Sequence, residues 1–192
     1  MLLMLVRLIV VVITRGKYRG LKLSTLTGNE TRPTLAKVKE AIFSMLHNNV
    51  YDATVLDLFA GSGNLGIEAI SNGAKWVDFY DSNYQAIKVI KDNTQKLKEV
   101  NYQIKKADYK NAIQEIINNK KKYDLIFLDP PYHLKLGEEL VSTFIDNDIV
   151  SEDGIIVCET GLDENINDEI NGFEKYKDKK YGQSKIIMFR RR

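Results

Sequence analysis

Short apolar segments alternate with longer amphipathic segments along most of the chain after residue 50. The apolar segments predict β-strands at residues 54–59, 76–80, 103–106, 124–128 and 155–159. Between them, apolar residues recur at helical spacing, which predicts helices at residues 65–71, 84–99, 109–119 and 137–146. Alternation of strands and helices is typical of βαβ units, so the pattern predicts a parallel sheet with helices on both faces.

The two ends of the chain depart from this alternation. Strand-like runs at residues 173–181 and 185–190, joined by Gly182-Gln183-Ser184, predict a C-terminal antiparallel hairpin. Near the start, residues 10–14 and 21–24 predict a small β-hairpin, and a helix over residues 35–47 follows it. The predicted fold class is therefore α/β, with a Rossmann-like, mostly parallel sheet of seven strands. We expect residues 1–50 to form an N-terminal hairpin and helix appendage, and residues 51–192 to form the main domain.

The balance of basic and acidic residues also changes near residue 50. Eight of the 28 basic residues lie in residues 1–50 beside two of the 26 acidic residues, whereas acidic residues outnumber basic ones in the remainder. A basic arm on a mildly acidic body favours contact between the arm and a polyanion. A solvated basic surface without a partner is the alternative interpretation.

The apolar start and the single cysteine are both interpreted as structural features. The first 13 residues are interrupted by Arg7, and the run is too short for a membrane span of about 20 residues. It lacks a small-residue cleavage site, and its β-branched residues favour a strand. Cys158 has no second cysteine to pair with and lies in an apolar run, which predicts a core residue. We therefore expect a cytoplasmic protein.

A glycine-rich turn follows the first strand of the main domain and opens the next helix. Gly61, Gly63 and Gly66 have the spacing G-x-G-x-x-G, in which glycines let the backbone approach a ligand closely. Asp81 ends the following strand, where a carboxylate suits the ribose hydroxyls of either a dinucleotide or an adenosyl cofactor. The turn alone leaves both cofactors open.

Acidic residues near the turn favour the adenosyl cofactor. Asp57 would repel a pyrophosphate, but it suits the cationic amino end of a methionine-type cofactor. Asp108, at the end of the third strand, is placed to accept from an adenine amino group, and its alternative role is to cap the following helix. The predicted cofactor-binding residues are Asp57, Phe59, Ala60, Gly61, Ser62, Gly63, Gly66, Asp81, Ser82, Asp108 and Tyr109.

The sequence Asp129-Pro130-Pro131-Tyr132 follows the fourth strand, at the edge where open α/β sheets bind ligands. The Asp129 carboxylate and the Pro130 carbonyl could each accept one N–H of an exocyclic amine, which would aim the nitrogen lone pair at an electrophilic methyl group. Two prolines stiffen the loop, and Tyr132 offers a face on which an extruded base can stack. These four residues are the predicted catalytic residues. A rigid turn without chemistry is the alternative, and His133 is interpreted as a polar loop residue.

These motifs resemble the Asp-Pro-Pro-Tyr class of S-adenosylmethionine-dependent amino-methyltransferases. More specifically, the chain is similar to the bacterial RsmD family from about Val12 to its C-terminus. The segments that carry this similarity are residues 16–20, residues 31–34 with Val38-Lys39-Glu40, residues 57–66 with Glu68-Ala69, and residues 125–132. The first two are more specific than the last two, which many methyltransferases share.

The resemblance implies a seven-stranded methyltransferase fold, with S-adenosyl-L-methionine as cofactor. It implies methyl transfer to the exocyclic N2 of a guanine in small-subunit (16S) rRNA, at guanine 966, with either the rRNA or an assembled or assembling 30S subunit as partner. The predicted RNA-binding residues are Arg15, Lys17, Arg19, Lys22, Arg32 and Thr34. The chain departs from the family pattern at Ala36, where an acidic residue is usual, and in the apolar residues 1–10.

Other function classes share part of this pattern. An adenine-N6 DNA methyltransferase can carry the same Asp-Pro-Pro-Tyr sequence, but the N-terminal motifs favour RNA. If the protein were a nicotinamide-dependent dehydrogenase, the Asp-Pro-Pro-Tyr sequence would have no role in its chemistry. A non-catalytic ribosome-assembly protein that binds RNA would not need an intact Asp129. We expect a monomer with neither a metal ion nor a membrane segment.

Overall fold

A computed structural model describes residues 11–26, 33–98 and 100–192, and the side chains of residues 33–35 are outside the described set. The helices are α1 (Pro33–Leu46), α2 (Asn64–Ser71), α3 (Tyr84–Thr94), α4 (Tyr109–Asn118) and α5 (Gly137–Asp146). The strands are β1 (Val11–Val12), β2 (Lys22–Leu23), β3 (Thr54–Asp57), β4 (Trp76–Asp81), β5 (Tyr102–Lys106), β6 (Tyr123–Leu128), β7 (Val150–Gly161), β8 (Glu169–Ile170), β9 (Phe173–Tyr181) and β10 (Ser184–Arg191). Two 3-10 turns cover His47–Val50 and Tyr132–Leu134.

The main sheet of the described residues has eight strands in the order β5-β4-β3-β6-β7-β10-β9-β8. Strands β3 to β7 run parallel to one another, and β10 joins β7 in the antiparallel sense. The strand order reverses between β3 and β6, and open α/β sheets bind ligands beyond the carboxyl ends of the strands at such a point. The topology thus places the glycine-rich turn after β3 next to the Asp-Pro-Pro-Tyr sequence after β6.

The predicted fold class is confirmed, with differences in detail, among them β3, which ends at Asp57, and β7, which spans Val150–Gly161. Strand β8 is an eighth strand of two residues, too short to produce a periodic pattern, and it extends the C-terminal hairpin by pairing with β9. Helix α3 ends at Thr94 rather than at residue 99, which is outside the described set. Leu97, which extended the predicted helix, is buried from a turn in which its N–H bonds to the Thr94 carbonyl.

Hydrophobic clusters cover both faces of the sheet because successive strand residues point to opposite sides. Phe127 belongs to one cluster and Leu128 to the other. The first cluster also contains Ile13 and Leu23 from the hairpin and Ile42 from α1. The N-terminal hairpin and helix therefore pack directly on the sheet, while the division of the chain at residue 50 into two domains stays a prediction.

A buried ion pair joins the hairpin, α1 and α2. The Lys39 ammonium lies 2.8 Å from a carboxylate oxygen of Glu68, with exposed fractions of 1% and 0% for the two side chains. Lys39 also donates to the Val12 carbonyl at 2.7 Å, and Glu68 accepts from the backbone N–H and the hydroxyl of Thr14. Burial lowers the pKa of Lys39, and the Glu68 carboxylate opposes this shift. Each charge is thus compensated by its partner and by the hairpin backbone.

We expect Lys39→Met to lower the free energy of unfolding by about 2 kcal/mol, because it leaves the Glu68 carboxylate buried without its cation. The backbone donors of the hairpin that remain on Glu68 keep the loss below the usual cost of breaking a buried pair. Urea denaturation measures this change. Lys37→Met, at an exposed position of the same helix, is the matched control and should stay near wild type. Equal stability of the two variants would contradict this role of the pair.

Candidate active site

A cavity of about 330 Å³ opens at the carboxyl edge of the sheet. The predicted site residues in its lining are Asp57, Phe59, Ala60, Gly61, Ser62 and Asp129. The hairpin and helix supply another side of the lining, including Val11, Val38, Lys39 and Ile42. The structure therefore brings the glycine-rich turn and Asp129 to one cavity, which the N-terminal appendage partly encloses, while Pro130, Pro131 and Tyr132 lie outside its lining.

The three glycines of the turn have different structural roles. Gly61 and Gly63 adopt positive φ angles of 54° and 77°, which glycine reaches without strain. A Cβ at Gly61 would meet no heavy atom closer than 4.0 Å, so the backbone there faces open space. A Cβ at Gly66 would lie 2.2 Å from the Phe79 ring, so Gly66 allows α2 to pack against β4. Gly61 borders the cavity, whereas Gly63 and Gly66 lie outside its lining.

Asp57 is the most buried acidic group of the cavity, with an exposed fraction of 3%. One of its carboxylate oxygens accepts the N–H of Gly66 at 2.9 Å. Burial raises the pKa of Asp57 to about 7, and the nearby Asp81 carboxylate adds to the rise while the Gly66 bond opposes it. A cation that enters the cavity would stabilise the charged form of this carboxylate.

Asp81 holds the glycine-rich turn in place. Its two carboxylate oxygens accept the backbone N–H groups of Gly61 and Asn83, each at 2.8 Å. Ser82 is exposed beside it. Both residues stand at the carboxyl end of β4, next to the cavity but outside its lining. Contact of Asp81 and Ser82 with a ribose stays a prediction.

The residues that follow β5 form the next part of the same edge. Asp108 caps α4 by accepting the N–H groups of Lys110 and Asn111, each at 3.0 Å, and the bonds from Asn111 lower its pKa. Its predicted helix-capping role is confirmed, and contact with an adenine stays a prediction. The Tyr109 ring lies 5.8 Å from the Phe59 ring, which links this segment to the cavity lining.

The Asp-Pro-Pro-Tyr sequence continues directly from β6 into a 3-10 turn. Asp129 is exposed at the cavity, Pro130 is buried, and Pro131 begins the turn that contains Tyr132. The Tyr132 hydroxyl donates to Glu159 at 2.7 Å, and burial together with the Asp129 and Glu159 carboxylates raises the pKa of Tyr132. Tyr132 therefore acts as a neutral group at physiological pH.

Three residues that support the cavity were missed in the sequence pattern. Glu159 lies two residues before the end of β7 and lines the cavity, and its position as the last residue of a predicted strand is the available signal. Lys39 lines the cavity through its buried pair. Asn93 is fully buried on α3 and binds the backbone of Ser24 and Ser62, which fastens the appendage to the glycine-rich turn. A polar residue within the apolar stripe of the predicted helix was the signal for Asn93.

The basic residues of the hairpin project from an anchored turn. The N–H of Lys17 bonds to the Ser71 carbonyl at 2.7 Å, and a Cβ at Gly16 would lie 1.7 Å from that oxygen, so glycine is required for this contact. Four predicted RNA-binding residues are exposed on this side, namely Arg15, Lys17, Arg19 and Lys22. Arg32 lies outside the described residues, and only the backbone of Thr34 is described, in the first turn of α1.

The charged groups that line the cavity suit a cationic adenosyl cofactor. Asp57, Asp129 and Glu159 supply carboxylates, while the cation in the lining, Lys39, is already paired with Glu68. A pyrophosphate would face these carboxylates and would be repelled. The predicted exclusion of a dinucleotide is therefore consistent with the charges of the cavity.

Two negative findings concern the described residues alone. These residues contain no group of three or more His, Cys, Asp or Glu side chains that could hold a metal ion. Within the same ranges, no helix is both long enough and apolar enough to cross a membrane. Cys158 is fully buried, as predicted, and burial raises the pKa of its thiol.

Comparisons with known proteins agree with this architecture. The family described as "Conserved hypothetical protein 95" matches residues 11–190. Ribosomal RNA small subunit methyltransferase D of Haemophilus influenzae is 35% identical over 152 residues, which are 79% of this chain and 79% of the relative. YlbH of Bacillus subtilis, which carries the name of an rRNA methyltransferase, is 32% identical over 178 residues, or 92% of this chain and 97% of the relative.

A solved structure extends the similarity to the fold. The Escherichia coli protein yhhF, described as a methyltransferase, superposes with a TM-score of 0.82 at 24% identity, over 95% of this chain and 98% of that one. The match thus includes both the appendage and the C-terminal hairpin. Because the family match spans nearly the whole chain and these two curated relatives are 32% and 35% identical over the aligned residues, the chain belongs to the RsmD family.

Proposed function

We propose that the protein transfers a methyl group from S-adenosylmethionine to the exocyclic N2 of a guanine in small-subunit rRNA. One observation carries this proposal: the glycine-rich turn and Asp129 line the same cavity. Relatives named ribosomal RNA small subunit methyltransferase D supply the class of substrate. Guanine 966 is the position that the family resemblance suggests.

S-adenosylmethionine is the cofactor of the protein. Bound S-adenosylmethionine supplies a methyl group on a sulfonium ion, and the C–S electron pair leaves with sulfur as a neutral thioether. Asp57 is placed to pair with the cationic amino group, and the backbone at Gly61 leaves room for the ligand. The Phe59 ring lines the cavity and packs on the Tyr109 ring, and this aromatic pair would contact the adenine ring.

Asp129 and Pro130 prepare the nitrogen for attack. The lone pair of an aryl amine is delocalised into the base, so the amine is a poor nucleophile while it remains planar. The Asp129 carboxylate and the Pro130 carbonyl each accept one N–H, which favours a pyramidal nitrogen and directs its lone pair. As the N–C bond forms, the nitrogen loses one proton to the Asp129 carboxylate, which passes it to water. This transfer requires neither a metal ion nor a further base.

Tyr132 provides the surface for the extruded base. Its hydroxyl is held by Glu159, so the ring has a fixed orientation beside Asp129. A base that leaves its stack regains part of the lost stacking energy on such a ring. The exposed fraction of Tyr132, 37%, leaves part of the side chain available for this contact.

The exposed basic residues of the hairpin are placed to contact phosphates next to the target. We expect replacement of Lys17, Arg19 and Lys22 by glutamine to weaken RNA binding and to reduce the slope of log K against log salt by about 2. Binding measured between 50 and 300 mM salt tests this. The same change at Lys177, Lys179 and Lys180, exposed on β9, is the control for net charge. An unchanged slope in the hairpin variant would place the RNA path elsewhere.

Identification of the methylated nucleoside tests the proposed function. Small subunits from a strain without its own guanine-N2 enzyme are incubated with the protein and with S-adenosylmethionine labelled in the methyl group. We expect N2-methylguanosine after digestion. Labelled N6-methyladenine in DNA, with no label in the subunit, would retain the catalytic site and overturn the proposed substrate. A cytoplasmic location and a monomeric state belong to the same proposal.

A further inference from the structure

The carboxyl end of β7 places a second carboxylate beside Asp129. Strands β6 and β7 pair in parallel with Leu128 opposite Cys158, so Asp129 and Glu159 are the next residues across this pair. Both line the cavity. Glu159 has an exposed fraction of 7%, so its carboxylate is buried apart from the part that meets the cavity. A group held by Asp129 would therefore have Glu159 as its immediate neighbour.

The contacts of Glu159 fix its orientation and use only part of its accepting capacity. Its Oε1 atom accepts from the Tyr132 hydroxyl at 2.7 Å. A carboxylate can accept several hydrogen bonds, so the bond from Tyr132 does not exhaust this group. A donor of a ligand that enters the cavity could therefore bond to Glu159.

We propose that Glu159 is a specificity-determining residue that accepts the N1–H of the target guanine, an inference that rests on the proposed function. Guanine carries N1–H directly beside its N2 amino group, and the adjacent Asp129 and Glu159 carboxylates match these two neighbouring donors. Adenine and 2-aminopurine instead present an N1 lone pair next to their amino groups. A buried carboxylate repels that lone pair, so the pair of carboxylates selects guanine.

A purely structural Glu159 would behave differently. If it served only to hold Tyr132, its replacement would weaken methylation of every base by a similar factor. A residue that reads N1–H must instead change the preference between bases that differ at N1. 2-Aminopurine is the suitable probe because it keeps the 2-amino group of guanine and lacks the N1 hydrogen.

The experiment compares two small-subunit RNAs that carry either guanine or 2-aminopurine at the methylated position, both assembled by ligation. We expect wild-type protein to prefer guanine by about 100-fold in kcat/KM, because a site built for a donor rejects an analogue without it. In Glu159→Gln, the amide oxygen can still accept from Tyr132 while the amide N–H donates to N1 of 2-aminopurine. We expect the preference for guanine to fall by about 100-fold in this variant.

Two control variants separate base reading from structure. Glu164→Gln changes another buried carboxylate, which binds the Gly137 N–H outside the cavity lining, and should keep the wild-type preference. Tyr132→Phe removes the hydroxyl that orients Glu159 but keeps the carboxylate, so it should lower kcat on both RNAs and reduce their ratio by less than Glu159→Gln does.

Each outcome of the comparison has a distinct meaning. Equal methylation of both RNAs by wild type, or an unchanged ratio in Glu159→Gln, would overturn the role of Glu159 while N2 methylation of guanine still stood. Absence of methylation on the guanine RNA would instead overturn the proposed function. The wild-type ratio requires no variant, so the inference is tested even where Glu159→Gln fails to fold.

Discussion

Replacing Asp129 with alanine should lower kcat for methyl transfer by about 1,000-fold while affinity for S-adenosylhomocysteine stays within about threefold of wild type. Asp129 follows β6 at the cavity and is exposed there, so its removal leaves no void in the core. The carboxylate acts on the amine as the nitrogen becomes pyramidal, so its loss affects the transition state more than binding. Single-turnover methylation and calorimetric titration measure the two quantities.

Two further variants define the role of Asp129. Asp163→Ala removes an exposed carboxylate from the same edge of the sheet, where it pairs with Lys135 at 2.8 Å, and should keep near-wild-type turnover. Asp129→Asn retains one hydrogen-bond acceptor but lacks the charge, so its turnover should lie between that of Asp129→Ala and that of wild type. Turnover of Asp129→Ala within tenfold of wild type would show that the amine is oriented by other groups.

Most of the sheet could be predicted because its strands are short, apolar and separated by helices of regular period. The apolar run that forms β6, for example, can be recognised from its own residues without knowledge of the strands beside it. The elements that were missed depend on pairing rather than on local pattern. Strand β8 has two residues and exists through its bonds to β9. Leu97 has the spacing of a helical residue, but it reaches the core from a turn.

Six predicted site residues line the cavity, namely Asp57 at the end of β3, residues 59–62 of the glycine-rich turn, and Asp129 after β6. Asp57 and Asp129 follow apolar runs, and parallel strands bring such ends to one edge. Glu159 also follows an apolar run, but β7 continues for two residues beyond it, so no turn marks it as a site residue. Strand register, which the sequence does not reveal, is what sets Glu159 beside Asp129.

The contacts of the appendage could not be predicted from local sequence. Lys39 lies in a helix where a lysine normally faces solvent, and its burial follows from a carboxylate on α2, 29 residues later in the chain. Asn93 meets Ser24 across 69 residues. These long-range polar contacts fix the hairpin against the glycine-rich turn, so the predicted RNA-binding arm and the cofactor cavity are mechanically joined. A substitution in the RNA-binding arm is therefore expected to affect the cofactor cavity, and a substitution in the cavity is expected to affect the arm.

Asp57→Asn should weaken cofactor binding by about 100-fold at pH 7, because it removes the buried charge that pairs with the amino group. In wild type without ligand, burial raises the pKa of Asp57 to about 7, so the carboxyl is largely protonated below that pH. Binding of the cation requires the charged form. Affinity should therefore fall about tenfold between pH 6 and pH 5 and level off above pH 7, while the cofactor's α-amino group stays protonated below about pH 7.5.

The pH dependence distinguishes Asp57 from other titrating groups. Asp57→Asn should show a flat affinity between pH 5 and 7, whereas Asp124→Asn should keep the wild-type slope. Asp124 is the matched control because it also accepts a backbone N–H, that of Thr54, at the opposite end of β3. A flat wild-type profile would contradict pairing between Asp57 and the amino group.

Stability of the unliganded protein gives an independent check on Asp57. Its folded pKa lies above its unfolded value, so its proton favours the folded state at low pH, and this contribution is lost as pH rises through about 7. Asp57→Asn carries no such charge and should therefore gain thermal stability relative to wild type between pH 5 and pH 8. The buried Asp57 carboxylate thus destabilises the protein without ligand and strengthens the complex with a cation. Both effects are expected of a site that binds a cationic ligand, because the ligand offsets the cost of burying the charge.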